Sequence, residues 1–151
     1  MARLAERLTG HHTIGLDSAV FIYHLEAHPR YARFTRELLD GLSRQRWRGV
    51  TSTLTLMELT VRPWQLQRGD VAASYEALLV NFPNLTVAEV SREVARRAAQ
   101  LRARFRIGSA DALQVGTALV HEATAFVTND RGLARLGSEL EVILLDDLTA
   151  S

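Results

Sequence analysis

A chain of 151 residues, 47% of them hydrophobic, is long enough to bury a sizeable core and falls in the range of one compact domain. It contains no cysteine, which excludes a disulfide framework and a thiolate zinc site, and nothing in it argues for an oxidising compartment. The formal net charge of +1 does not by itself nominate a polyanionic partner.

All 18 basic residues are arginine, and lysine is absent. Arginine carries a fixed charge on a planar fork that matches phosphate, but codon bias explains such usage equally well and is given the greater weight. The first residues, MARLAERLTGHH, place charges and histidines where a signal peptide needs an apolar stretch, and no later apolar run is long enough to cross a bilayer. The expectation is a cytoplasmic protein without membrane association.

In chain order, Thr13 to Leu16 is a short apolar strand that ends at Asp17, and AVFIYHLEAH after it suits a helix closed off by Pro29. From Arg30 to Trp47, Tyr31, Phe34, Leu38, Leu39 and Leu42 recur at helical spacing among charges and predict an amphipathic helix. Gly49 to Ser52 reads as a second strand. LTLMELTVR is then helical until Pro63 kinks or ends it, and residues 70–81 form another helix before the turn at Pro83 and Asn84. Leu85 to Val87 is a third strand. Residues 89–106 are helical, with Val90, Val94, Leu101 and Phe105 on one stripe, and Ser109 caps a further helix that runs to about Glu122. Ala125 to Thr128 and Glu141 to Leu145 complete a set of five strands. Apolar strands alternating with helices predict an α/β fold: a single three-layer domain whose mainly parallel five-stranded sheet is flanked by helices.

Four carboxylates stand in unusual places. In an open parallel sheet ligands bind beyond the carboxyl ends of the strands, and Asp17 and Asp130 both follow strands. Each is also explicable as the cap of the next helix. Glu58 falls at i+4 from Leu54, with Met57 and Val61 at i+3 and i+7, so a carboxylate shares the stripe expected to face the core. Desolvating it costs several kcal/mol unless it is protonated, paired or in a polar cavity. Asp111 lies in the first turn of its helix, where the helix dipole alone would account for an acid. Behind it, Ala112, Val115, Gly116 and Leu119 form a small-residue face that would let the helix lie close on the sheet and bring Asp111 towards Asp17. Four acids together cannot all stay ionised unless a cation stands between them, and all-oxygen ligands suit Mg²⁺ or Mn²⁺.

At this point the chain resembles the PIN domain, and in particular the VapC-type toxins and their stand-alone relatives. The matching segments are IGLDSAVFIYHLE, TSTLTLMELTVRP, GSADALQVGTALVHEATAFVTNDRGLARL and EVILLDDL, which follow the family's order over nearly the whole chain. The resemblance implies a PIN-like fold and maps the family's acidic quartet onto Asp17, Glu58, Asp111 and Asp130. Asp17 and Asp111 are then the principal metal ligands, while Glu58 and Asp130 complete the site, with Thr128 and Asn129 in support. It further implies Mg²⁺- or Mn²⁺-dependent endoribonuclease activity on RNA that leaves a 5′-phosphate and a 3′-hydroxyl, a cognate antitoxin protein and a homodimer. The alternatives are a stand-alone nuclease in RNA processing, or a PIN-like scaffold that binds RNA or protein without cutting. Many relatives begin close to the first strand, so residues 1–12 read as a flexible extension, His11 and His12 included, and residues 13–151 as the domain.

Other signals weigh less. Six arginines between Arg92 and Arg106 could guide RNA, but nearby glutamates and the near-zero net charge favour a solvated face. Trp47 and Trp64 could stack on bases, although packing is the commoner fate of tryptophan. Asp146 and Asp147 follow the last strand, which the family places at the sheet edge, and are left out of the site. A phosphotransfer site of the haloacid dehalogenase kind wants a DxD pattern and a lysine, whereas Asp17 is followed by Ser18 and Ala19. No glycine-rich phosphate loop follows the first strand, which disfavours a nucleotide cofactor.

Overall fold

Five short strands, β1 (Thr13–Leu16), β2 (Arg48–Ser52), β3 (Leu85–Ala88), β4 (Ala125–Thr128) and β5 (Glu141–Leu144), carry the apolar runs of the sequence into one sheet of order β3-β2-β1-β4-β5. Every ladder is parallel, from Thr13 against Arg48 and Ile14 against Ala125 to Thr128 against Leu144. The computed structural model describes residues 3–149, so residues 1, 2, 150 and 151, at the outer ends of the extension and domain read from sequence, lie outside the described residues. The chain leaves β1 for β2 and β3 on one side, then returns to add β4 and β5 on the other. The carboxyl ends of β1 and β4 therefore flank a topological switch point, where an open α/β sheet forms its crevice.

Helices cover both faces, because strands that are apolar on both sides must be covered on both. The connections are α1 (Arg3–Leu8), α2 (Ser18–Leu25), α3 (Ala32–Ser43), α4 (Thr53–Gln65), α5 (Gly69–Val80), α6 (Arg92–Phe105), α7 (Ser109–Val120), a 3₁₀ helix (Arg131–Ser138) and α8 (Leu145–Thr149). One core layer joins Leu4, Leu8, Ile14, Leu16, Phe34 and Leu38. The other joins Leu101, Val115, Ala118, Phe126, Leu133 and Leu136.

The expectation for the first residues is corrected, and of the two alternatives at Pro63 one is removed. The extension read as flexible contains α1, whose Leu4 and Leu8 are buried in the core and whose Ala5 N–H donates to Glu37 Oε1 at 3.2 Å. His11 is likewise tied down, with Nδ1 2.7 Å from Thr124 Oγ1 and Nε2 2.9 Å from Glu141 Oε1. Pro63 does not end its helix, which runs on to Gln65 with the ring buried. A proline removes one N–H from the helical ladder, and apolar burial of the ring offsets that loss.

The close approach of α7 to the sheet is real, but two different small residues make it possible. A β-carbon at Gly15 would fall 2.6 Å from Ala118 Cβ, so β1 and α7 touch through Gly15. Gly116 instead faces α6, where a β-carbon would meet Val94 O and Ala98 N at 3.3 Å. Trp47 is a core residue: it is buried, its Nε1–H donates to Leu38 O at 3.0 Å, and its ring fills the space beside Gly41. Trp64 is 62% exposed.

Candidate functional site

Asp17 is both the cap of α2 and the acid at the end of β1, and the two roles use different oxygens. With extended backbone (φ −73°, ψ 158°), it accepts from Ser18 N–H on Oδ1 at 2.8 Å. Its Oδ2 accepts from Thr128 Oγ1 at 2.6 Å. Its own N–H donates to Val127 O at 3.0 Å, which holds it beside the end of β4.

Thr128, buried as the last residue of β4, also accepts from Asp130 N–H on its Oγ1 at 3.1 Å. One hydroxyl thus binds both strand-end acids. Asp130 caps the 3₁₀ helix, with Gly132 N–H donating to its Oδ1 at 2.9 Å, and is exposed. Asn129 turns towards α2 and α8: its Nδ2 donates to Tyr23 Oη at 3.2 Å, and its Oδ1 accepts from Asp146 N–H at 2.9 Å. Tyr31 Oη donates to the same Asp146, and its ring stacks on Tyr23 with centroids 4.6 Å apart. Asn129 therefore fixes the turn that carries Asp130, and Asp146 serves that turn from the edge of the sheet.

Asp111 stands in the first turn of α7. The helix begins at Ser109, with Gly108 as a cap that makes no side-chain bond, so the expected Ser109 cap is not formed. The extended backbone of Gly108 (φ −69°, ψ 163°) places the helix start one residue earlier than the cap rule assigns.

Glu58 reaches the site by a different route from the one its spacing implied. The stripe of Met57 and Val61 faces solvent, at 57% and 49% exposure, and the buried side of α4 is formed by Thr55, Leu59, Thr60 and Pro63. The spacing rule fails here because the buried side of α4 is rich in threonine. Glu58 is half-buried and lines a cleft of about 370 Å³ with Leu25, Glu26, Leu59, Arg62 and Tyr75.

The electrostatics join the four acids. Burial, then the charges of Asp130 and Asp17, a carboxyl hydrogen bond with Asp130 and the charge of Glu58 push Asp111 up to about 6. Burial also raises Asp17, against the lowering effect of the bonds from Thr128 and Ser18, and Asp130 adds to the rise. Among the described residues none of the four acids is in an ion pair. Nor, among the described residues, do three or more His, Asp or Glu side chains stand together as a group that could hold a metal ion. Mg²⁺ commonly binds through one or two carboxylates and keeps several waters, so an open, all-oxygen cluster fits such an ion better than a closed cage would.

The arginines of α6 are largely tied to the protein itself. Arg97 and Arg104 pair with Glu139, and Arg102 Nε donates to Ile107 O at 3.1 Å. Among the described residues no helix is long and apolar enough to cross a membrane.

Fold and electrostatics together define a three-layer α/β domain with Asp17 and Asp130 beyond the carboxyl ends of β1 and β4 and within electrostatic reach of Asp111. The chain belongs to the PIN-domain family, whose model matches residues 14–139. Among solved structures it is similar to a toxin-antitoxin complex from Klebsiella pneumoniae, with 19% identity over 88% of this chain and 97% of that one and a TM-score of 0.62. It is similar to DNA-bound VapBC from Salmonella typhimurium, with 19% identity over 89% and 98% and a TM-score of 0.66. It is also similar to FitAcB from Neisseria gonorrhoeae, with 21% identity over 88% and 97% and a TM-score of 0.63. At such identities the likeness establishes the fold. A search of curated proteins finds no match.

Proposed function

We propose that this protein is a Mg²⁺- or Mn²⁺-dependent endoribonuclease, the VapC-type toxin of a toxin-antitoxin pair. The observation that carries the reading is that burial first, and then the charges of Asp130, Asp17 and Glu58, push Asp111 up to about 6, with no ion pair to any of the four acids among the described residues. Like charges placed together at a cost in stability are characteristic of functional sites.

In this reading Asp17 and Asp111 hold the cation, and Glu58 and Asp130 complete its surroundings. When bound, the cation supplies Lewis acidity at a phosphate and a water of lowered pKa. The protein's own part is positional. Ser18 N–H and Thr128 Oγ1 each hold one oxygen of Asp17, so that carboxylate has a fixed orientation before any ligand arrives. Thr128 sets Asp130 by the same hydroxyl, and Asn129 locks the turn between them. Purified wild type with Mn²⁺ and single-stranded RNA is expected to release 5′-phosphorylated fragments, and Asp17→Ala to release none. Equal cleavage by both proteins would remove the reading.

The antitoxin reading is supported by the assemblies named in the similar structures and by the cleft itself. From Glu58 the cleft continues past Leu25, Leu59 and Tyr75 into an apolar groove lined by Phe21, Leu39 and Phe82. An apolar protein segment would suit these walls, and the Glu58 end, where Glu26 stands beside Arg62 and Arg68, would take polar side chains of either charge. The expected homodimer has a surface of suitable chemistry in the exposed Met57, Val61 and Trp64. Induced wild type is expected to arrest bacterial growth and Asp17→Ala to permit it; equal toxicity of the two would contradict a toxin that acts by cleavage.

A further inference from the structure

Polar side chains deep in a core are costly unless fully bonded, and a bonded set of them fixes one arrangement of the elements it joins. Thr51, Ser52, Thr55 and Gln114 form such a set, with exposures of 2, 0, 0 and 3%. Gln114 Nε2 donates to Thr55 Oγ1 at 2.9 Å, and its Oε1 accepts from Ser52 Oγ at 2.8 Å. Thr51 Oγ1 donates to Leu16 O at 2.8 Å and lies 2.7 Å from Thr55 Oγ1. Because the Thr51 proton is committed to Leu16, Thr55 is the donor in that last bond. Among the described residues no buried side-chain nitrogen or oxygen is left without a partner.

The chain of bonds runs from α7 through the start of α4 and the end of β2 to the last carbonyl of β1. Each end adjoins an acid. Leu16 directly precedes Asp17, Thr55 is three residues before Glu58 on α4, and Gln114 is three residues after Asp111 on α7. Residues three apart share a helix face, so the bonded side chains and the acids project from the same sides of their helices. Apolar side chains of similar volume would fill this space and permit small slides between α4 and α7, whereas the bonds do not.

We propose that Thr51, Thr55 and Gln114 are positioning residues that fix the spacing of Asp17, Glu58 and Asp111, and through it the affinity of the cleft for a divalent cation. The inference rests on the metal-dependent reading above. It is tested by Mn²⁺ titration, followed by electron paramagnetic resonance, of wild type, Gln114→Leu, Thr55→Val and Thr55→Ser. Gln114→Leu and the isosteric Thr55→Val are expected to weaken Mn²⁺ binding about tenfold, as loss of a ligand-orienting partner does. Thr55→Ser, which restores the hydroxyl, is expected to return most of the affinity. A purely structural role would lower the metal-free melting temperature and leave the Mn²⁺ affinity of the folded protein unchanged, and that result would overturn the proposal. Should Gln114→Leu not fold, Thr55→Val against Thr55→Ser carries the same comparison. Absence of Mn²⁺ binding by wild type would instead overturn the metal reading itself, and the wild-type titration reads that directly.

Discussion

The Thr128 hydroxyl donates to Asp17 Oδ2 at 2.6 Å while accepting the Asp130 N–H at 3.1 Å, so one buried side chain at the end of β4 orients acids on both sides of the switch point. Thr128→Val keeps the shape and removes both bonds. The expected result is a fall in RNA cleavage of about tenfold or more, with a cost in stability of about 2–3 kcal/mol. Cleavage rates and melting temperatures of Thr128→Val and Thr128→Ser measure this, and the serine is expected to retain most of the activity.

Asp111 gives a pH-dependent prediction. Its value of about 6 in the fold lies above the ordinary 3.8, so the folded state binds the proton more tightly than the unfolded chain. Its charge therefore destabilises the metal-free fold above about pH 6, and that cost is relieved as pH falls towards the ordinary value. Asp111→Asn should raise the metal-free melting temperature, by more at about pH 7.5 than at about pH 5, while abolishing cleavage. A variant whose melting temperature differs from wild type equally at both pH values would contradict a raised Asp111.

The helix α1 tests whether the first residues belong to the fold. Leu4 is fully buried, and truncation of such a leucine costs about 2–5 kcal/mol. Leu4→Ala is accordingly expected to lower the denaturation midpoint clearly, as followed by circular dichroism in urea. An unchanged midpoint would return residues 3–8 to the status of a loose extension.

Much of this architecture is legible in the residues, for identifiable reasons. The strands are short apolar runs bounded by acids, glycine or turns, and Asp17 and Asp130 stand out because the first follows such a run directly and the second after one asparagine. Features carried by few residues were hidden. A six-residue helix such as α1 shows only Leu4 and Leu8 as a stripe, too little to separate it from a polar tail. In α4 the buried side is marked by Thr55 and Thr60 and the exposed side by Met57 and Val61, so the periodicity points the wrong way. The charge of Glu58 acts on Asp111, although the stripe of Met57 and Val61 beside it faces solvent and not the core. Gln114 does carry a local signal, as the one polar residue with a long side chain in ALQVGTALV. The pairing of Asn129 with Tyr23 and Asp146 depends on tertiary contact and has no local signature.

The central claim, that the four acids form a divalent-cation site, is tested most directly by titrating wild type and Asp111→Ala with Mn²⁺ under calorimetry. Wild type is expected to bind at millimolar or lower concentration and to gain thermal stability as it does, with both effects lost in Asp111→Ala. Wild type that binds no Mn²⁺ at millimolar concentration, or binds it as well as Asp111→Ala does, would contradict the account.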